Sequence, residues 1–480
     1  MKFICAPAPW AATLLATTLM TGCAGLTNGP TPVEATAPAQ WQAPLPHEGS
    51  ITDLSQWWKG LGDPVLVSLI DAAQQVSPTI ASAQSRIVQA RATLIGAQSA
   101  NLPQTSASLS AQRGVNSTSP TVGTALQGSL DASWEIDLFG GNRQSANAAR
   151  ARLQGAQAGW HEARVSVAAE VATQYFNLRT CEELVTVLRS DTQSRRETAR
   201  LTDLTAKAGF AAPATAALAA ASAAESNART VQQQAQCDSV VKALVALTAL
   251  DELRLRQLLN NPVAVISPSA MPSVAVLPAA LLSQRPDLYT AQRDVEAASS
   301  DLGSAHAQRY PRLTLAGSVG VLNFTNYAGT TDLSTWSIGP VALSLPLSDS
   351  GKRVANVEAA VAKYEESASI YRGKVRQAVR EVEDALLTLA STDTRKADAV
   401  AAHSGYAIAL EATRARYTAG SASLPELEDA RRSLLGAQNT LLQLELERTT
   451  AWISLYRALG GGWSAADNTA RDSSVVNSAN

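Results

Sequence analysis

The sequence predicts a membrane α+β fold, in which each chain contributes a few strands to a shared β-barrel and continues into very long helices. Three observations predict it: two long segments with apolar heptads, four segments in which apolar and polar residues alternate, and an internal duplication. Aromatic residues make up only 5% of the 480 residues, which suits closely packed helices better than a thick globular core. The net charge of −2, without a basic block, argues against nucleic acid as a partner.

The first residues have the pattern of a lipoprotein signal peptide that covers residues 1–22. Lys2 precedes a moderately apolar run from Trp10 to Met20, and Thr21-Gly22-Cys23 then resembles a bacterial lipobox. Cleavage before Cys23 would leave that cysteine lipid-modified, and Ala24 after it favours sorting to the outer membrane. The alternative is a plain signal peptide with an incidental cysteine. No later run reaches about 18 apolar residues, so we expect no transmembrane helix in the mature chain.

The following segments alternate between extended and helical patterns. Residues 23–50 are rich in Pro, Thr and Ala and read as a lipidated tether. Helices are predicted over about 65–101, with a second helix starting at Pro78, since proline is tolerated in a first turn. Residues 464–480 are predicted to be a disordered tail.

The chain is predicted to be duplicated. A shift of 208 residues places Pro78 on Pro286 and Pro103 on Pro311, and a shift of 211 places Gly209 on Gly420. The repeats span 51–262 and 263–463, and each reads helix, strand, strand, long helix, tight turn, helix.

Four strands are predicted at about 104–113, 124–139, 312–323 and 335–347, a length that crosses a bilayer. In the second of them, apolar residues from Leu126 to Leu138 alternate with polar ones, so that one face suits lipid and the other suits water. The residues expected to line the barrel lumen are Gln127, Asp131, Glu135 and Asp137. The alternative, a soluble sandwich, is disfavoured by the 60-residue helices between the strands.

Such a chain must oligomerise, because four strands cannot close a barrel and an open edge in hydrocarbon leaves unsatisfied backbone groups. Two chains would give eight strands, whose interior is filled by side chains, and three would give twelve, which leaves a lumen. This argument favours more than two chains but does not by itself choose three.

Two equally long helices are predicted at about 143–208 and 352–418, with return helices at about 213–250 and 424–459 and a further helix at about 278–310. The second long helix carries an apolar seam with steps of three and four, typical of a left-handed coiled coil. The seam residues are Val354, Val357, Val361, Tyr364, Ala368, Tyr371, Val375, Ala378, Val382, Ala385 and Leu389. Each pair reverses at a glycine, Gly209 or Gly420, where positive φ is expected.

Two cysteines test the first hairpin. With its turn near residue 210, the residue opposite Cys181 lies near 239, within one turn of Cys237. A disulfide is therefore plausible in an oxidising periplasm. The alternative is two separately packed cysteines.

Several motifs resemble a known family: the outer-membrane factors of tripartite efflux systems, in the NodT-type lipoprotein branch with the TolC-like fold. The matching residues are Trp57-Trp58, Gly62-Asp63-Pro64, Asp137-Leu138-Phe139-Gly140, Arg285-Pro286-Asp287, Pro311, Ala355-Asn356 and Tyr456-Arg457-Ala458-Leu459-Gly460-Gly461-Gly462-Trp463. One departure is Ala249, where the family usually has glycine, and its effect is expected to be confined to the segment joining the halves.

The resemblance implies a homotrimer with a twelve-stranded barrel in the outer membrane and a coiled-coil tunnel in the periplasm. A periplasmic adaptor and an inner-membrane RND-type pump would dock at the tunnel tip, and the duct would passively conduct small solutes such as drugs, toxic compounds or metal ions. The residues expected to meet the adaptor are Gly209, Phe210, Gly420 and Ser421. The gate candidates near them are Asp203, Lys207, Glu411, Arg414 and Arg416, although ordinary solvated helix ends are an equally good interpretation of each.

No enzyme site, cofactor motif or metal motif is expected, because the four histidines are scattered and neither HExxH nor CxxC spacing occurs. Two other functions compete with the efflux duct: an exit duct for protein secretion, and a non-conducting structural lipoprotein that spans the envelope. The lipobox and the closing Gly-Gly-Gly-Trp favour efflux of small solutes.

Overall fold

The structure, a computed structural model, describes residues 42–43, 57–116, 119–260 and 284–464. Their contacts divide into two compact units. Among the described residues, the first contains 86–156 and 290–372, and the second contains the rest. Each unit takes segments from both predicted repeats. The predicted signal peptide, Cys23, most of the tether and most of the C-terminal tail lie outside the described residues.

The first unit contains one four-stranded antiparallel sheet with strand order β1-β2-β3-β4. The strands are β1 (Gln104–Asn116), β2 (Ser119–Ile136), β3 (Arg312–Asn326) and β4 (Gly329–Ser344). All four predicted strands exist, but they extend further toward their connecting turns than predicted. The reason is that the Ser, Thr and Asn residues assigned to polar loops continue the hydrogen-bonded ladder. At the opposite end, β2 and β4 stop three residues earlier than predicted.

The helices described are α1 (Trp57–Gly60), α2 (Pro64–Val76), α3 (Pro78–Ser99), α4 (Gly141–Lys207), α5 (Pro213–Thr248), α6 (Glu252–Leu259), α7 (Pro286–Ala307), α8 (Lys352–Thr418) and α9 (Leu424–Ala458). The equal lengths of α4 and α8, 67 residues each, agree with the predicted duplication. The short helix α6 was not predicted. In the described part of the chain, no helix combines the length and hydropathy needed to cross a membrane.

In the first unit, α4 and α7 approach closely because small residues face each other. Ala148, Ala151 and Ala297 are buried together. The Ser145 and Ser304 hydroxyls are hydrogen-bonded at 2.9 Å. This contact has no bulky core, as the alanine-rich composition predicts.

The second unit contains the larger core, and most residues that carry the family resemblance lie in it. Trp57 and Trp58 pack on Tyr456, with ring centroids 4.9 and 4.7 Å apart. Asp63 caps α2 by accepting the Val65 N–H at 2.9 Å, and it also accepts the Tyr175 hydroxyl at 2.5 Å. Burial and, to a smaller extent, this hydrogen bond raise the pKa of Tyr175, so the phenol stays a donor. These motif residues therefore hold the second unit together.

Glycine is required at Gly460, two residues after the end of α9. Its φ is +78°, and a Cβ atom built there would lie 2.4 Å from the Gln284 carbonyl oxygen. The backbones of these two segments can approach so closely only because position 460 has no side chain.

α4 and α5 form the first helical hairpin, and α8 and α9 form the second. Both long helices end in the same Schellman motif: the Phe210 and Ser421 N–H groups donate to the Thr205 and Arg416 carbonyl oxygens at 2.9 and 2.8 Å. The φ angles of Gly209 and Gly420 are +83° and +73°, which confirms the predicted positive φ. The duplication is therefore repeated in the detail of the two turns.

Ala249 shows why glycine is usual at that position. It ends α5 in the left-handed region, with φ 51° and ψ 19°, and its N–H donates to the Val245 carbonyl oxygen at 2.8 Å. A Cβ in this conformation costs roughly 1–2 kcal/mol.

We expect Ala249→Gly to raise the free energy of unfolding by about 0.5–1 kcal/mol, because relief of this strain exceeds the extra backbone entropy of glycine. Ala246→Gly, at an exposed helical position in the same turn, should instead lower it by about 1 kcal/mol. Thermal unfolding of the two purified variants measures both effects. Equal destabilisation by both substitutions would contradict the strain at Ala249.

Candidate functional site

The sheet has one polar and one apolar face. Across the β1–β2 pair, Ser110 lies opposite Gln127 and Ser106 lies opposite Asp131. The alternate positions of the strands carry the apolar residues Leu109, Leu126, Leu130, Trp134, Val319, Val321, Trp336, Ile338 and Val341, and all of these are at least 36% exposed in the single chain. Such a sheet can place one face against lipid and the other against water only as part of a closed barrel.

Three of the predicted lumen residues lie together on the polar face. Gln127, Asp131 and Glu135 follow one another at every fourth position of β2. Asp131 accepts a hydrogen bond from the Ser129 hydroxyl at 2.8 Å and lies opposite Ser318 of β3. Glu135 lies opposite Thr314. This part of the polar face thus consists of hydroxyl and amide groups with two carboxylates.

The placement of Asp137 on the strand is wrong, because β2 ends at Ile136. Asp137 lies in the turn before α4, where its carboxylate accepts the Arg143 N–H at 2.9 Å. An acidic side chain in this position satisfies one of the free N–H groups at the start of a helix and stabilises its dipole. In the sequence, the alternation of polar residues continues past the end of the strand, so it does not distinguish Asp137 as a capping residue.

In the second unit, the residues expected to meet the adaptor are exposed. Phe210 is 87% exposed, and Ser421 is exposed beside Gly420. The second turn is held by a capping box, in which the Ser423 N–H donates to the Glu426 carboxylate at 2.6 Å. Hydrogen bonds from the Ser423 backbone and hydroxyl, with Arg416 nearby, lower the pKa of Glu426. The capping box thus fixes the start of α9 shortly after the exposed Ser421.

The five gate candidates form ion pairs within their own hairpin. Asp203 pairs with Lys207 at 2.7 Å, Glu411 with Arg414 at 3.9 Å, and Arg416 with Glu426 at 3.6 Å. All of these side chains are at least half exposed. Near the tip, the two hairpins are instead joined by a hydrogen bond between the Thr202 and Tyr417 hydroxyls, at 3.2 Å.

The sequence reasoning missed a buried charge cluster further from the tip, formed by Asp191, Arg195, Glu428 and Arg431. Their side chains are only 5–13% exposed, and the pair of Arg195 with Glu428 joins the two hairpins. The duplication offered a signal, because the positions 211 residues away from Glu428 and Arg431 are Ala217 and Ala220. Charges that occur in only one of the two repeats indicate a contact that the other repeat does not make.

Cys181 and Cys237 are joined by a disulfide in the structure, with Cα atoms 5.7 Å apart. The bond links α4 to α5 within the buried core of the second unit. In the part of the chain that the structure describes, no group of three or more His, Cys, Asp or Glu side chains could hold a metal ion.

Comparison with known proteins decides the family. The family model described as outer membrane efflux protein matches residues 69–250 and 277–461, which are most of the two predicted repeats. The chain belongs to the outer membrane efflux protein family. Among its curated relatives, the pyoverdine export outer membrane protein OpmQ of Pseudomonas aeruginosa is 27% identical over 471 residues, covering 94% of this chain and 96% of that protein. Nodulation protein T of Rhizobium leguminosarum is 26% identical over 474 residues, covering 94% and 93%.

Among solved structures, the fold matches the CmeC outer membrane channel of Campylobacter jejuni with a TM-score of 0.80 and 24% identity, covering 92% of this chain and 96% of that one. The predicted fold class is therefore confirmed, since this chain has the fold of the trimeric TolC-like outer-membrane channels. The resemblance to outer-membrane efflux factors is confirmed as well. The protein is an outer-membrane efflux channel that extends into the periplasm, and the family consists of channel proteins.

Proposed function

We propose that three copies of the chain form a passive exit duct for small solutes, which receives them from a periplasmic adaptor and an inner-membrane RND-type pump. The observation that carries the proposal is the amphipathic four-stranded sheet, which needs partner strands to close in a membrane. Three copies give twelve strands and a lumen that water can fill. Transport through such a duct needs no chemistry of its own, because the pump supplies the gradient.

The substrate class follows from the polar face and from the relatives. Hydroxyl, amide and carboxylate groups along β2 offer weak, replaceable contacts to many hydrated solutes. The P. aeruginosa relative is named for export of pyoverdine, a small organic molecule. We infer a broad class of small solutes, with selection between them left to the pump. Lipid attachment at Cys23 stays a prediction.

The adaptor would dock on the two exposed turns. Phe210 offers a large apolar side chain next to Gly209, and Ser421 offers a polar one next to Gly420. Aromatic residues are enriched at the centres of protein interfaces, so Phe210 is the expected anchor of this contact. The neighbouring gate candidates would change their pairing when the adaptor binds.

Purified trimers in planar lipid bilayers test the duct, and we expect discrete single-channel currents. The double substitution Asp131→Asn and Glu135→Gln should lower the ratio of cation to anion permeability by about two- to threefold, because it removes the carboxylates from the polar face of β2. Asp332→Asn is the matched control. Asp332 lies opposite Asn323, in line with the apolar positions of β3, and its loss should leave the ratio unchanged.

Silent trimers would contradict the duct and favour a structural lipoprotein. Currents without any change of ion preference in the double variant would contradict the assignment of the polar face to the lumen. Passage of a folded protein but not of small solutes would favour protein secretion.

A further inference from the structure

The buried charge cluster joins three helices of the two hairpins. Arg195 of α4 donates to Asp191 at 2.7 Å, contacts Glu428 of α9, and donates to the Ser222 hydroxyl of α5 at 2.6 Å. Ser222 in turn donates to Glu428 at 2.7 Å. Arg431 donates to the second oxygen of Glu428, also at 2.7 Å.

The cluster continues into hydroxyl groups that leave few of its polar atoms unused. Arg431 donates to the Ser194 and Thr198 hydroxyls of α4 at 2.9 and 2.8 Å. The Ser226 hydroxyl of α5 donates to Asp191 at 2.8 Å. Two carboxylates thus face two guanidinium groups, and the charges balance.

Burial makes this contact difficult to separate. The side chains are 13% exposed for Arg195, 10% for Glu428 and 5% for Arg431. Moving α9 away from α4 would leave Arg195 with Asp191 and Arg431 with Glu428, but it would break the contact between Arg195 and Glu428 and the hydrogen bonds from Arg431 to Ser194 and Thr198. Losing these contacts in a dry environment is strongly unfavourable, whereas the exposed pairs at the gate candidates separate at little cost.

On the tip side of the cluster, the link between the hairpins is weaker. Among the described residues, it consists of a hydrogen bond between Thr202 and Tyr417 and of a small apolar group, Ala219, Leu424 and Leu427, with Ala199, Leu410 and Tyr417 partly buried against it. Alanine and leucine contacts can slide or reform, because they are non-directional. The change in contact chemistry falls between Leu427 and Glu428.

The duplication shows that the cluster is specific to one contact. The positions 211 residues from Asp191 and Arg195 are Ala402 and Tyr406 of α8, and those of Glu428 and Arg431 are Ala217 and Ala220 of α5. All four of these counterparts are exposed in the single chain. The charges therefore fix α4 to α9 of the same chain, and the equivalent surfaces have only small or aromatic side chains.

We propose that the buried charge cluster is a clamp that marks where the moving part of the two hairpins ends. When the duct opens, the two hairpins of a chain separate between the clamp and the reversing glycines, and they stay joined at the clamp. This proposal rests on the proposed duct function, since it names the positioning residues of its gate. Arg195, Glu428 and Arg431 act through helix position and need not touch a solute.

Two single-cysteine reporters on the full chain test the clamp. Ala219→Cys reports on the tip side and Leu444→Cys on the far side, and the native residues are 3% and 5% exposed. Labelling by a small maleimide measures how often each site opens, while the paired Cys181 and Cys237 do not react. Tyr417→Phe removes the tip hydrogen bond. It should accelerate labelling at position 219 about tenfold and leave position 444 unchanged.

Adding Glu428→Gln to Tyr417→Phe should then accelerate labelling at position 444 about tenfold as well, because the clamp is broken. Glu197→Gln is the matched control, since Glu197 lies on α4 two residues after Arg195 but is 51% exposed in its pair with Arg200. If Glu428→Gln prevents assembly, Ser222→Ala removes the two hydrogen bonds that Ser222 makes with Arg195 and Glu428, and it should produce a smaller acceleration at position 444.

Faster labelling at position 444 in Tyr417→Phe alone would overturn the clamp, as would an unchanged rate after Glu428→Gln or Ser222→Ala is added. Labelling does not require conduction. Trimers that show the expected labelling pattern but no current in planar bilayers would therefore refute the duct and leave the clamp standing.

Discussion

Arg285→Gln is expected to lower the free energy of unfolding by about 3–5 kcal/mol, the usual cost of breaking a buried ion network. Arg285 is 6% exposed. Its guanidinium donates to Asp287 at 2.8 and 3.0 Å, to Glu381 of α8 at 2.8 Å, and to the Ala458 carbonyl oxygen at the end of α9 at 2.9 Å. Glutamine cannot reach all of these acceptors, so two carboxylates and the end of a helix would lose their partner.

The loss should depend on pH. Burial raises the pKa of Asp287, but the hydrogen bond and charge of Arg285, with Lys374, lower it more, so the net pKa is below its ordinary value. In the native protein, ionised Asp287 therefore stabilises the fold above its ordinary pKa, and this contribution is lost as the pH falls through the lowered value. Without Arg285, the effect of burial dominates and the pKa of Asp287 rises. The deficit of the variant should shrink between about pH 7 and about pH 5, as Asp287 takes up a proton.

Thermal unfolding of the trimer in detergent at several pH values measures the effect. Arg395→Gln is the matched control: Arg395 also bridges two helices, by two hydrogen bonds to Glu447, but its side chain is 50% exposed. Its loss should cost at most about 1 kcal/mol at any pH. A pH-independent deficit at Arg285, or one as small as at Arg395, would contradict this account of the network.

The architecture could be predicted because its signals are periodic. Alternation along β2 and heptads along α8 each extend over many residues, and the seam of α8 is buried from Val375 to Leu389. The turns could be predicted because glycine at Gly209 and Gly420 meets a local need for positive φ. Local chemistry and long periods thus agree in this chain, which is the condition under which sequence patterns are informative.

Element ends and tertiary contacts could not be predicted in the same way. Asp137 continues the polar alternation of β2, but its carboxylate caps α4 instead, and no periodic signal separates these two roles. The gate candidates are close to the glycines along the sequence, whereas the buried partner of Arg195 is Glu428, 233 residues away. Which charged residues are buried depends on the pairing of the hairpins, and each helix taken alone contains no information about it.

Replacing both Cys181 and Cys237 with Ala is expected to lower the free energy of unfolding by about 4 kcal/mol, the chain-entropy value for a loop of this length. The cysteines are 56 residues apart in the sequence, and they are buried at 9% and 7% exposure. Alanine is the better replacement, because serine would also bury two hydroxyl groups. Thermal unfolding of the variant and of the native protein, each with and without reductant, measures the loss.

At the equivalent positions of the second hairpin, a weaker contact joins the two helices. The positions 211 residues from Cys181 and Cys237 are Thr392 and Arg448, and Arg448 forms an ion pair with Asp393 at 2.9 Å. That pair is 31% and 43% exposed, so it contributes at most about 1 kcal/mol. Reductant breaks the disulfide, so it should destabilise the native protein as much as the double substitution does. It should have no further effect on the variant. If instead the isolated protein has free thiols and reductant does not change its unfolding midpoint, the two cysteines are packed side by side without a bond.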